Sequence, residues 1–261
     1  MSAIRQARAL MRVQWRENVT YRVDFVIDLV GSLIAVAVYY FLWRAVFLAR
    51  PGTGGLDLAF MVSYIVLVQI VEALTDPPDI ARALAAEVTQ GSVVLHLLRP
   101  YSLQLRFLAQ TLAAVGWRIG WVVVPLVFVG VAASIRLPTP GQLGWFLLSL
   151  PLALAVNLCI ATLVGLGAFW LRQNEGLVQV RLFAQEFFSG ALVPLVLFPG
   201  PLAQLAEWLP FRAVVDVPLG LYLGYHRPDV LLGQAGWAIG LWTLTALVFN
   251  RARRKLVILG G

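Results

Sequence analysis

Long apolar runs separated by short charged ones set the pattern of this chain. The first runs from about Phe25 to Phe47, the second from about Leu58 to Ala73, and the third from about Ala113 to Ser134. A fourth covers about Leu143 to Leu171, a fifth begins near Val178, and the last spans about Val230 to Phe249. Crossing the hydrocarbon of a bilayer takes about 20 apolar residues in a helix, so these runs predict transmembrane helices. Between Pro194 and Pro228 the pattern breaks. Pro194, Pro199, Pro201, Pro210 and Pro218 cannot share one continuous helix, yet the stretch stays apolar, with Trp208, Phe211 and Tyr222 among its residues. Short helices that enter the bilayer and return fit that composition, provided protein or water satisfies their free backbone groups. The expected fold is all-α and a single domain over residues 1–261. It has six transmembrane helices and re-entrant helices over 194–228, between the fifth and sixth spans.

The stretch 76–106 differs from its surroundings. Asp76 is placed to cap a helix whose first turn tolerates Pro77 and Pro78, and Ala, Leu, Arg and Glu favour helix as far as Gly91. A second short apolar segment then stops at Arg99-Pro100. The unit is too polar for lipid and too helical for a slack linker. Near the N-terminus, Ile4, Ala7, Met11, Trp15 and Val19 form one stripe and Arg5, Arg8, Arg12 and Arg16 an adjacent one. That pattern over residues 2–20 predicts a helix lying on the membrane surface, its arginines reaching lipid phosphates. No cleavable signal peptide is expected, since the first apolar run begins only after Asp24.

Composition and charge sharpen the class. Hydrophobic residues make up 60% of the 261 positions and charged residues 13%, far from the balance of a soluble domain. The net charge of +7 does not indicate nucleic acid, because the arginines sit at span ends rather than on one polar face. Arg5, Arg8, Arg12, Arg16, Arg22, Arg82, Arg99, Arg106, Arg172, Arg181 and the C-terminal basic cluster fall on one side, and Arg50, Arg136, Arg212 and Arg227 on the other. The bias places both termini and the 76–106 unit in the cytoplasm. Cys159 is the only cysteine, and His96 and His226 lie far apart, so neither a disulfide nor a metal site is expected.

No catalytic constellation is present. The chain has no Gly-rich loop ending in Lys-Ser/Thr, and so no phosphate-binding loop of its own. Carboxylates and amides inside spans are costly and face protein or water, which makes Glu186, Glu72 and Asn157 the candidate lining of a translocation path. For Glu186 the structural alternative is a pair with Arg118 or Arg181. Asn157 also suits a hydrogen bond between helices. Gly116-x-x-x-Gly120, Gly220-x-x-x-Gly224 and Gly236-x-x-x-Gly240 allow close helix packing.

Gly91 followed by Leu97-Leu98-Arg99-Pro100 resembles the permease subunit of an ABC-2 type ATP-binding cassette exporter. So does the ordered set Ser189-Gly190, Pro194-Leu195, Phe198-Pro199, Leu209-Pro210-Phe211 and Pro218. The resemblance implies an interfacial elbow helix over 1–22, a coupling segment over 76–106 and a re-entrant region on the extracellular side. It also implies a multi-pass protein of a bacterial inner membrane, working as a dimer with an identical or related permease. In that picture Asp79, Ile80, Arg82, Leu84, Glu87, Val88 and Gly91 meet a separate cytosolic ATPase. Ile80, Leu84 and Val88 supply its apolar stripe and Arg82 and Glu87 its rim. The resemblance further implies that this chain binds no cofactor and that ATP and Mg sit on the partner ATPase. An ion-coupled secondary transporter is one alternative, although such folds repeat their broken helices in both halves and here the breaks gather in the second. A membrane scaffold is the other.

Overall fold

A computed structural model of the chain describes residues 11, 12, 15, 22–50, 53–93, 102–171 and 174–259. The surface helix expected over 2–20 falls mostly outside them, as do His96 and Leu97-Leu98-Arg99-Pro100. Every regular element among the described residues is a helix, with no strand. Helix α1 is Arg22–Ala49, α2 Leu58–Thr75 and α3 Ile80–Thr89. Helix α4, Leu103–Arg118, passes through a π-helical turn, Ile119–Val123, into α5, Val124–Ala132. Then come α6, Pro140–Leu166, and α7, Glu175–Phe188. Two short helices follow, α8 at Gly200–Glu207 and α9 at Asp216–Leu223, before α10 at Val230–Leu259.

Among the described residues, five segments are long and apolar enough to cross a membrane: Phe25–Ala49, Leu58–Thr89, Leu103–Ala132, Pro140–Phe169 and Val230–Ala252. The run expected to form a fifth span in sequence is different. Its helix α7 has 14 residues, a length of about 21 Å against a hydrocarbon core of about 30 Å. Ser189 ends it, and Gly190 at φ +88° turns the chain away.

Local chemistry explains several boundaries. Helix α6 starts at Pro140, three residues before the apolar run, because Thr139 and Gln142 form a capping box and proline suits the first helical position. Pro125 lacks the N–H that an α-helix needs, and the π-helical turn just before it absorbs the mismatch. The chain between α2 and α3 also differs from expectation. Asp76 closes α2, its N–H bonded to the Glu72 carbonyl, and Asp79 caps α3 by accepting from the Arg82 N–H. The two prolines therefore lie in the kink and not in the first turn, since the residue before a proline avoids helical backbone.

Helix α6 is the central post. It packs most extensively on α10, α9 and α3, and α2 lies against α1. The largest core joins Met61, Tyr64, Leu67 and Val71 of α2 to Phe146, Val156 and Ile160 of α6 and Leu219 of α9. A second core lies at the α3 end, where Ile80, Leu84, Phe107, Leu158 and Leu166 meet. Gly165 permits that approach: a Cβ there would stand 3.1 Å from the Ala81 carbonyl oxygen. By contrast α1 leaves Ile27, Val30, Ile34, Val38 and Phe41 exposed, a face that water does not tolerate in such number but lipid or a second subunit does.

Candidate functional site

Helix α3 sits across the end of the bundle, and its sequence explains its pose. Ile80 and Leu84 recur at one-turn spacing and are 2% and 0% exposed, buried among Leu158, Ala161 and Leu166. Val88 packs against the same cluster. The apolar stripe of Ile80, Leu84 and Val88 thus faces this chain's own α6, where Gly165 lets the two helices touch. Asp79, Ala83, Ala86 and Thr89 occupy the exposed side.

Ion pairs bracket α3 at both ends. The Arg82 Nε donates to both Glu175 oxygens at 3.1 and 3.0 Å, its Nη2 reaches Glu175 Oε1 at 2.8 Å, and its Nη1 reaches Asp79 Oδ2 at 2.8 Å. Those hydrogen bonds from Arg82, supported by Gln179, hold the Glu175 carboxyl at about 2, well below the usual carboxylate range. At the other end Arg106 Nη1 donates to Glu87 Oε2 at 2.9 Å. Neither Arg82 nor Glu87 is a free rim charge. Gly91, at φ +72°, then turns the chain out of the helix.

One turn inward lies a cavity of about 300 Å³ lined by Asp28, Ser32, Gln69, Glu72, Asp76, Arg118, Asn157, Gln185 and Glu186, among others. It brings together all three residues singled out within spans: Glu72 from α2, Asn157 from α6 and Glu186 from α7. Their surroundings differ. The Asn157 amide nitrogen donates to the Thr75 carbonyl at 3.2 Å and to Asp76 Oδ1 at 3.4 Å, and its oxygen accepts from Arg181 Nη2 at 2.6 Å. Arg181 also donates to Gln185 Oε1 at 2.8 Å, while its buried Nε makes no hydrogen bond. Arg118 donates to the Asp76 carbonyl and lies 3.5 Å from Asp28. Glu72 accepts a 3.3 Å bond from Gln69, and among the described residues no ion pair reaches it or Glu186. The pairing of Glu186 with Arg118 or Arg181 is not formed.

Sequence reading missed several members of this arrangement. Arg181 counts as a span-end arginine by position, yet it is 8% exposed and buried beside Asn157. Glu175, in a loop by its neighbours, is the main partner of Arg82. At the opposite end of α2 a cluster forms around Asp216, which accepts from Arg212 Nε at 2.9 Å and Tyr225 OH at 3.1 Å and stands 2.7 Å from His226 Nε2. Burial opposes ionisation of Asp216, but His226 and Arg212 outweigh it and hold the carboxyl below its ordinary range. His226 is therefore no isolated interfacial residue. The only sequence signal for this cluster is glycine: a Cβ on Gly220 would collide with the His226 ring.

Polar side chains gathered inside an apolar helical bundle face protein, water or a bound polar group. No curated protein matches the chain. Over residues 33–260 it matches the family described as ABC-2 family transporter protein, a stretch that takes in α2 through α10 and most of α1. A helical membrane protein matched over nearly its whole length in this way belongs to the ABC-2 transporter family and is an ABC-2 type permease.

Proposed function

We propose that the chain is the membrane half of an ATP-driven exporter, working as a dimer of permeases with separate cytosolic ATPase chains that carry ATP and Mg. The observation that carries this reading is α3. It is a short helix locked to α6 by its apolar side and to α4 and α7 by ion pairs, with Asp79, Ala83, Ala86 and Thr89 left outward. A helix bound so firmly to the bundle passes a push on to α6 and α7 instead of yielding to it. Its outward face is where the ATPase docks, in place of the buried stripe. Nucleotide-driven closure of two ATPases would press both α3 helices and re-aim α7, whose Glu186 lines the polar cavity.

In this scheme the cavity with Glu72, Asn157 and Glu186 is one subunit's share of the cargo path. The arginine bias supports a bacterial inner-membrane topology with both termini cytoplasmic and the short helices of 194–228 as a re-entrant cap on the outer side. Purification of the chain from its native membrane, with identification of any cassette ATPase that comes with it, tests the reading. A complex whose ATP hydrolysis responds to an amphiphilic cargo, and which links a cysteine at Ala86 to the ATPase, is expected. Transport by the purified permease without any ATPase would overturn it.

A further inference from the structure

A second cavity, of about 400 Å³, lies at the end of α2 away from α3, beneath the turn at Leu195–Leu197 and α8. Its size is that of a small-molecule site. Most of the wall is apolar, with Phe60, Leu195, Val196 and Phe198, and one end is polar, with Arg212, Asp216, Tyr225 and His226. We infer that this cavity binds a neutral amphiphile, one with an apolar body and an uncharged hydroxyl or carbonyl head.

The charges at the polar end select for the head. Asp216 already receives Arg212, Tyr225 and His226 and is 5% exposed in its side chain, so it has no room for a ligand cation. The same Arg212 lies 4.0 Å from Glu207, so its charge is already shared between two carboxylates, with His226 beside them, and neither an anionic nor a cationic head meets a free counter-charge. What remains is Arg212 Nη1, which makes no hydrogen bond among the described residues and whose Glu207 contact is a long one. A donor with its charge already matched suits a neutral oxygen. The roof over the cavity is anchored independently of any ligand, because Tyr64 OH donates to the Gly190 carbonyl at 2.7 Å just ahead of it. The inference stands on this geometry and does not depend on ATP-driven export.

The test uses the full chain in lipid nanodiscs and three photoreactive probes that share one diazirine-bearing alkyl chain but end in an alcohol, a carboxylate or an amine. The alcohol should label the peptide holding Leu195 to Phe198 about tenfold more strongly than either ion, the factor that about 1.4 kcal/mol of head-group discrimination gives. Ala203→Trp, which fills the cavity from α8, should abolish that labelling in protein that still elutes as a single species. Val196→Trp, placed on the exposed rim, gives the same loss should the first variant fail to fold. Lipid analysis of the purified protein separates the sources. A neutral lipid retained through purification marks a resident occupant, and labelling only by added probe marks a passing one, each with the site occupied. Equal labelling by the three probes, or full labelling of both tryptophan variants, overturns the inference.

Discussion

The side-chain oxygen of Asn157 accepts a 2.6 Å hydrogen bond from Arg181, and through this contact α6 holds a cation that pairs with no carboxylate among the described residues. On its other side the same amide donates towards Asp76. An uncharged residue thus sits between an acid and a base and joins the end of α2 to α7. With Arg181 8% exposed, this amide and that of Gln185 keep its guanidinium solvated inside the bundle.

Replacing Asn157 by leucine should therefore destabilise the protein more than loss of one ordinary hydrogen bond. Hydrogen bonds to a charged group contribute about 1.5–3 kcal/mol, which for a chain of this size corresponds to a thermal midpoint lower by roughly 4–9 °C. Asn157→Asp supplies a carboxylate to Arg181 and should lose less. Thermal unfolding of the detergent-solubilised variants checks both, and a leucine variant as stable as the parent would remove the joint from the account.

Leu84→Ala should act as a folding variant. The side chain is 0% exposed and lies against Gly165, so truncation leaves a void worth about 2–5 kcal/mol. Ala86→Trp, on the exposed side of α3, should leave stability unchanged and weaken ATPase binding. Co-purification and melting curves recorded on the same two proteins separate these effects. The opposite assignment would put the docking face back on the apolar stripe.

That contrast shows what was legible in advance. Run length predicts six spans, and five of those runs form helices long and apolar enough to cross among the described residues; proline placement marks the broken region, because hydrocarbon thickness and the missing proline N–H act locally. Four-residue spacing at Ile80, Leu84 and Val88 reveals that one side of α3 is apolar, but not whether α6 or another protein covers it. Gly165, 81 positions after Leu84, decides that and carries no local signature. Likewise the fifth apolar run reads as a span because Phe187, Phe188 and Leu192 continue it, whereas the backbone turns at Gly190. Arg181 and Glu175 were hidden for the same reason: their partners come from distant helices.

The Arg82–Glu175 pair ties α3 to the start of α7 across 93 positions. Both side chains are solvent-accessible, so charge reversal of either should leave folding intact while uncoupling ATP hydrolysis from transport. Arg82→Glu combined with Glu175→Arg should restore coupling. The pH dependence has a definite sign. The Glu175 carboxyl is held at about 2 in the folded state, below an unfolded value of about 4.3. Its contribution is complete above the unfolded value and is lost as pH falls towards 2, so coupling should not change between pH 5 and 8 through this pair. Failure of the double reversal to recover transport would reduce the pair to surface decoration.

The cavity makes the strongest demand on the proposed path. Glu72 and Glu186 line it without an ion-pair partner among the described residues, although burial of unpaired carboxylates is unfavourable unless water or a ligand solvates them. The site should therefore be wet. Cys159, the sole cysteine, is 2% exposed and provides a silent background for thiol labelling. Cysteines placed at Glu186 and at Glu72 should react with a small charged methanethiosulfonate reagent applied from the cytoplasmic side, and the parent protein should not. Glu186→Gln keeps the shape and removes the charge, so it should lower transport with little change in basal ATP hydrolysis. Unreactive cysteines at both positions would mean a dry, closed interior, and the carboxylates would then need another reason to be there.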